Sequence, residues 1–142
     1  MKNNADVNVL VIDGQGGKIG RQLVNTIQKN FSECVLTAVG TNSVATAAML
    51  KGTQIKGATG ENAVIANARR ADVIIGPVGI VIADALMGEI SPSMAVAVGQ
   101  SEAVKILLPV NKCDNLVAGI SDMPINDMIN DAMQKLAGVI AN

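Results

Sequence analysis

Closely spaced glycines near the start of the chain carry the strongest chemical signal in the sequence. They lie in segment 13–21, DGQGGKIGR, which follows an apolar β-branched run and precedes an amphipathic helical pattern. Spaced glycines permit a tight turn, let backbone N–H groups approach a phosphate, and let a helix pack closely on a strand. The N-terminus of the following helix adds orphan N–H donors and a partial positive charge. Segment 14–20 is therefore predicted to bind a phosphate, the alternative being a tight turn that binds nothing.

Strands and helices that alternate along the chain must position this loop. Apolar runs predict strands at 7–12, 35–39, 72–76, 105–109 and 116–120. Helical patterns lie between and after them, at 19–31, 44–51, 61–69, 80–87, 91–98 and 125–140. Only about six residues join the last two predicted strands, too few for a parallel crossover of a dozen or more. We expect an α/β fold, a single Rossmann-like domain over residues 1–142, with a doubly wound sheet of about five mostly parallel strands and the last strand antiparallel at an edge.

Two other turns are expected beside the glycine loop. Ligands of doubly wound folds lie outside the carboxyl ends of the strands, where the turns after the second and third predicted strands also lie. These turns contain Thr41 and Asn42, and Gly76-Pro77-Val78-Gly79. The predicted binding residues are Gly14, Gln15, Gly16, Gly17, Lys18, Ile19, Gly20, Thr41, Asn42, Gly76, Pro77 and Gly79.

The turn after the second strand departs from the dinucleotide pattern. A carboxylate is expected there to bind the ribose hydroxyls, but the sequence has Gly40-Thr41-Asn42, and no arginine for a 2′-phosphate. Thr41 or Asn42 would bind a ribose less strongly than a charged group. The ligand therefore stays open between NAD(P), a mononucleotide and another phosphorylated metabolite.

The remaining polar residues do not form a recognisable catalytic group. Glu89 precedes a helix that Ser91 is predicted to cap, so the negative charge of its carboxylate is expected to interact favourably with the N-terminus of that helix. Asp84, inside the predicted helix 80–87, needs a partner if that helix is buried. Cys113 follows Lys112 and is expected to be a quiet thiol rather than a reactive one. Catalytic residues are unknown, and whether the protein is an enzyme is left open.

Composition excludes several functional classes. The chain has no histidine, a net charge of −1 and a single aromatic residue, Phe31, which argues against histidine-based catalysis and metal sites and against nucleic-acid binding. No signal-peptide or membrane-spanning pattern is present, so we expect a cytoplasmic protein with reduced cysteines and no membrane partner. Apolar residues make up 49% of the chain and 14 more residues are glycine, above the roughly 45–50% that these types together reach in typical domains. A core built from small residues such as alanine and valine is one explanation of this excess; the other, which we expect, is a homo-oligomer, a dimer or larger.

About the first 25 residues resemble the N-terminal dinucleotide-binding loop of dihydrodipicolinate reductases. The resemblance rests on a strand, the motif GGKIGR and a helix that follow one another in this order. The whole chain is similar to an uncharacterised family of short bacterial proteins with the motifs DGQGGKIG, GTN, ATGEN, GPVGI, GEISPSMA and LLPVNKC, all in order. This resemblance implies a Rossmann-like domain and no particular activity.

The sequence thus leads to three hypotheses. The first is a protein that binds the phosphate of a nucleotide or dinucleotide at the glycine loop. The second is a small NAD(P)-dependent oxidoreductase completed at a dimer interface, and the third is a non-catalytic structural or regulatory subunit.

Overall fold

A computed structural model describes residues 4–110 and 114–141, so Cys113 and its neighbour Lys112 lie outside the described residues. In chain order the strands and α-helices are β1 (Asn8–Asp13), α1 (Lys18–Asn30), β2 (Val35–Gly40), α2 (Ser43–Leu50), β3 (Lys56–Thr59), α3 (Glu61–Ala68), β4 (Val73–Pro77), α4 (Pro92–Gln100), β5 (Val104–Leu108) and α5 (Ile125–Ala141). Short 3-10 helices cover Asn4–Asp6 and Val78–Val81.

The five strands form one parallel sheet in the order β3-β2-β1-β4-β5. The register pairs Asp13 with Gly40 and Gly40 with Thr59, so β1, β2 and β3 end side by side. The chain moves from β1 outward to β3 and then returns to the other side of β1, which makes the junction of β1 and β4 the switch point of the sheet. This topology confirms the Rossmann-like, doubly wound α/β fold.

Helices cover both faces of the sheet because the β-strand alternation sends successive side chains to opposite sides. Val9 and Val11 of β1 pack with α1, α2 and α5, whereas Leu10 and Ile12 pack with α3 and α4. The central strands are buried on both faces, as their continuous apolar runs predict. The carboxyl end of β1 therefore lies between two packed layers of helices.

The edges of the sheet differ from the sequence prediction. The last strand is β5, and it pairs parallel to β4, so the predicted antiparallel edge strand is wrong. Residues 116–120 form turns and irregular chain, and Leu116 is 96% exposed, so apolar content there did not mark a strand. The strand that the prediction missed is β3, whose short sequence KGAT contains three exposed residues and gives almost no apolar signal. Its position at the sheet edge explains this weak signal.

The predicted helix 80–87 is also wrong. After the 3-10 helix, residues 82–90 form successive turns, closed by bonds such as Asp84 N–H to the Ile90 carbonyl at 2.7 Å. Ile80, Leu86 and Ile90 are nevertheless buried, which explains the apolar run. A short apolar run does not distinguish a helix from a buried turn. Asp84 is exposed in this turn and needs no buried partner.

Candidate functional site

Two glycines of the loop are required by the way α1 packs. Gly17 has φ +73° at the N-cap of α1, and a Cβ on it would lie 2.7 Å from the carbonyl oxygen of Ala45 in α2. A Cβ on Gly20 would lie 2.8 Å from Cβ of Asp13 and 2.5 Å from Sδ of Met49. These contacts are tighter than real Cβ atoms show, so the fold itself explains both glycines.

Gly16 differs from these two glycines. A Cβ on Gly16 would meet nothing within 4 Å, and its backbone is not in the left-handed region. Neither packing nor backbone conformation therefore requires glycine at this exposed position. Gly14 is intermediate, because a Cβ there would crowd the side chains of Thr41, Leu86 and Glu89.

The carboxylate of Asp13 already binds part of the loop. Its Oδ1 accepts the N–H of Gly14 at 2.8 Å and its Oδ2 accepts the N–H of Gly20, in the first turn of α1, at 2.7 Å. Asp13 is 5% exposed. Burial raises the pKa of Asp13 and the charge of Glu89 adds to this effect, against the two amide bonds that lower it. Two of the amides predicted to face a phosphate are thus used by the protein.

Three other amides of the loop remain available. Within the part of the chain that the structure describes, the N–H groups of Gly16, Lys18 and Ile19 have no hydrogen-bond partner. Lys18 and Ile19 are the first two residues of α1, so these N–H groups lie at the positive end of the helix dipole. The arrangement suits an anion that approaches the start of α1.

The carboxylate of Glu89 occupies a different part of the loop. Its Oε1 accepts the Gln15 N–H at 2.8 Å, the Thr41 hydroxyl at 2.7 Å and the Asn42 side-chain amide at 2.7 Å. Partial burial alone would raise the pKa of Glu89, but the bonds from Thr41, Gln15 and Asn42 together lower it. Glu89 is therefore ionised at neutral pH. The expectation that it serves the N-terminus of α4 is replaced by this contact across the sheet edge.

A strained turn brings Glu89 to this position. Asp84, Leu86 and Met87 have φ values of +68°, +56° and +60°, a conformation that costs roughly 1 kcal/mol or more for each non-glycine residue. Leu86 is 1% exposed, and its Cδ1 would lie 2.9 Å from a Cβ on Gly14. The turn therefore packs against the glycine loop at the switch point of the sheet.

Thr41 and Asn42 meet the glycine loop, as their position after β2 predicts. The Thr41 N–H donates to the Asp13 carbonyl at 3.0 Å, and the Asn42 amide donates to the Gln15 carbonyl at 2.9 Å. The Asn42 side chain also accepts the Ala45 N–H at 2.9 Å and so caps α2. The backbone of Thr41 and the side chain of Asn42 thus link the turns that follow β1 and β2.

Gly76, Pro77 and Gly79 are buried rather than presented to solvent. A Cβ on Gly76 would clash with the Ile12 carbonyl oxygen, so glycine lets β4 approach β1. A Cβ on Gly79 would lie 3.1 Å from that of Ala85. Close packing thus explains the type of both glycines, and all three residues are covered by the fold.

The presence of Glu89 in this site was not predicted from the sequence. Glu89 lies 74 positions from Gln15 and 48 from Thr41, and it reaches them only through the irregular turn. The sequence does show that the carboxylate expected after β2 is missing, but it does not show which distant residue supplies a carboxylate there.

Other grooves lie away from the loop. One of about 730 Å³ runs between β5, α5 and residues 119–123, and one of about 530 Å³ lies between α3 and α4. Among the described residues, no three cysteine or acidic side chains come together as metal ligands. No helix in ranges 4–110 and 114–141 has the length and apolar content to cross a membrane.

Comparisons with known proteins establish the family without an activity. A family model described as a domain of unknown function (DUF3842) matches residues 8–141. Neither the curated proteins nor the solved structures give a match. The matched region includes every strand of the sheet and the whole glycine loop. The chain therefore belongs to the DUF3842 family of domains of unknown function.

Proposed function

We propose that this domain binds a nucleotide or dinucleotide through a phosphate at the loop 14–20. The observation that carries the proposal is the set of three unpaired N–H groups, on Gly16, Lys18 and Ile19, where β1 turns into α1. A 13-residue helix behind them adds its dipole, and the site adjoins the switch point at which doubly wound folds bind ligands.

The nearby carboxylates do not occupy these three donors. Asp13 binds the amides of Gly14 and Gly20, and Glu89 binds that of Gln15. The exposed side chains of Lys18 and Arg21, at the start of α1, supply positive charge on the same turn. A phosphate that accepts the three free N–H groups therefore leaves the internal hydrogen bonds of the loop intact.

A ligand-dependent unfolding experiment tests the proposal. The protein is unfolded by urea with and without NAD(H), NADP(H), ATP, ADP and a sugar phosphate. A ligand at 100 times its dissociation constant is expected to add about 2.7 kcal/mol to the free energy of unfolding. If none of these compounds changes the unfolding midpoint, nucleotide binding is refuted.

Gly16→Ala localises the binding with little risk to the fold. Its methyl group extends into open space, so stability should change by no more than about 0.5 kcal/mol while the group crowds a ligand on the neighbouring amides. Gly99→Ala in α4 is the matched control, because its Cβ also meets nothing within 4 Å. Loss of the ligand-induced stabilisation is expected in Gly16→Ala only. Gly17→Ala is unsuitable, because it would strain the contact with α2 whether or not a ligand binds.

A non-catalytic structural or regulatory subunit is the second candidate. It is favoured by the internal contacts of the loop, since Leu86 packs at Gly14 and Glu89 binds Gln15. In that case Gly16→Ala and wild type should behave alike with every compound tested. The NAD(P)-dependent oxidoreductase stays a hypothesis, with no catalytic residue assigned.

Assembly and location complete the proposal. We propose a cytoplasmic homo-oligomer, a dimer or larger, whose apolar contact includes side chains around the groove of β5 and α5. Val104, Ile120 and Met123 are 47%, 44% and 40% exposed there. Native mass spectrometry measures the subunit number and detects any ligand that co-purifies, and a monomer would contradict the proposed homo-oligomer.

A further inference from the structure

We infer that the carboxylate of Glu89 binds the ribose hydroxyls of the nucleotide, so that the site selects ribonucleotides with a free 2′,3′-diol. This inference rests on the proposed nucleotide binding and specifies the class of ligand. It assigns to the turn before α4 a role that doubly wound folds usually give to a residue at the end of the second strand.

The end of β2 lacks its own carboxylate but holds that of Glu89. In dinucleotide-binding folds an acidic side chain after this strand accepts a hydrogen bond from the ribose 2′-hydroxyl. Here the Thr41 hydroxyl and the Asn42 amide, directly after β2, each donate to Glu89 Oε1 at 2.7 Å. The two polar residues that replace the expected acid therefore position an acid from elsewhere.

Glu89 also lies correctly with respect to the phosphate loop. Oε1 accepts the N–H of Gln15, which is adjacent in sequence to Gly16, the first of the three free donors. A ribose on Glu89 and a phosphate on the start of α1 would thus occupy neighbouring positions. Neither group would compete for the hydrogen-bond partners of the other.

The carboxylate retains a free acceptor for the ligand. All three hydrogen bonds go to Oε1, and Oε2 has no hydrogen-bond partner among the described residues. The side chain is partly exposed, so a hydroxyl can reach it. An ionised carboxylate accepts hydrogen bonds from hydroxyl groups and repels a phosphate. The site should therefore accept a ribose diol and reject a 2′-phosphate.

Three adenosine compounds distinguish recognition of the ribose diol from recognition of the phosphate. ADP, 2′,3′-dideoxy-ADP and ADP with an additional 2′-phosphate are titrated calorimetrically into wild type, Glu89→Gln and the control Glu102→Gln. Glu102 is exposed just before β5, at the amino ends of the parallel strands, whereas the glycine loop lies at their carboxyl ends. Glutamine keeps an oxygen for the three internal donors but removes the charge, and circular dichroism verifies the fold of each variant.

The expected result is a change in discrimination. Wild type and Glu102→Gln should bind ADP roughly tenfold or more tightly than dideoxy-ADP, the range of a hydrogen bond to a charged group. In Glu89→Gln this ratio should fall towards one, and the 2′-phosphate compound should bind more tightly than it does to wild type. A purely structural role of Glu89 would not change the ratio.

Each other outcome contradicts the inference in a distinct way. Equal affinity of wild type for ADP and dideoxy-ADP refutes the ribose contact but leaves nucleotide binding intact. Tighter binding of every compound, and of inorganic pyrophosphate, to Glu89→Gln would show that Glu89 only obstructs the phosphate site. No binding of any compound to wild type refutes the proposed function and this inference together. If Glu89→Gln fails to fold, Thr41→Val, which removes one donor to Oε1, replaces it in the same comparison.

Discussion

Replacing Gly20 by alanine measures how closely α1 approaches β1, and Gly138→Ala in α5 provides a matched comparison. Both glycines lie inside helices, where alanine is favoured over glycine by about 1 kcal/mol. A Cβ on Gly138 would meet nothing within 4 Å. Gly138→Ala is therefore expected to raise the free energy of unfolding by up to about 1 kcal/mol, less any fraying near the end of α5.

At Gly20 the same gain is opposed by a steric cost. The added methyl group would lie 2.8 Å from Cβ of Asp13 and 2.5 Å from Sδ of Met49, a fully buried side chain. Extra volume in a packed core costs about 1–3 kcal/mol. Displacement of Asp13 would also weaken its 2.7 Å bond to the Gly20 amide, with a further cost of about 1 kcal/mol. We expect a net loss of about 2 kcal/mol, and hence a difference of about 3 kcal/mol between the two variants.

Urea unfolding followed by circular dichroism provides the measurement. The midpoints should move in opposite directions, while the slope of the free energy against urea stays unchanged, which indicates that only the stability differs. If Gly20→Ala is as stable as wild type, the steric explanation of this glycine is refuted. Such a result would make Gly20, like Gly16, a residue that the fold alone does not explain.

The remaining predictions concern the charges and thiol of the described residues. Because the pKa of Asp13 is raised in the folded state, its contribution to stability is full below the ordinary value of 3.8 and declines as pH rises through the folded-state pKa. The stability of wild type relative to Asp13→Asn should therefore decrease with rising pH. The lowered pKa of Glu89 gives the opposite trend: its contribution is full above 4.5 and is lost as pH falls through the folded-state pKa, so wild type should lose stability relative to Glu89→Gln on acidification. Urea unfolding at several pH values measures both differences, and parallel trends would contradict the assigned environments. Asn42→Ala should cost about 1–2 kcal/mol in the same assay, because it removes the cap of α2 and two contacts of the loop; a change below about 0.5 kcal/mol would contradict this role. Burial, and to a smaller extent the charge of Glu33, raises the pKa of the Cys34 thiol. In a Cys113→Ser background, Cys34 should therefore react with a disulfide reagent at pH 8 more slowly than free cysteine, and Glu33→Gln should make the reaction faster. A rate equal to that of free cysteine would contradict the raised pKa.

Local patterns in the sequence were sufficient for the central part of the fold. The apolar run of β1, the helical spacing of Leu23, Val24 and Ile27, and the Ser91-Pro92 start of α4 all act within a few neighbouring residues. Each signal is a pattern of apolar or capping residues over a few consecutive positions, so it can be recognised without knowledge of which distant residues it will contact. The position of the glycine loop between β1 and α1 was predictable for the same reason.

Long-range contacts decided the rest, because the energies that select them come from residues far apart in the chain. β3 exists through pairing with β2, and residues 82–90 form an irregular turn held by packing of the buried Leu86 at Gly14 rather than by helical hydrogen bonds. The sequence alone predicted that backbone amides of the loop approach a phosphate, without indicating which of them the protein itself uses. Tertiary structure gives the amides of Gly14 and Gly20 to Asp13, and that of Gln15 to Glu89, 74 residues away. Only the folded chain brings such distant donors and acceptors within hydrogen-bond distance, and it leaves three amides of the loop unpaired.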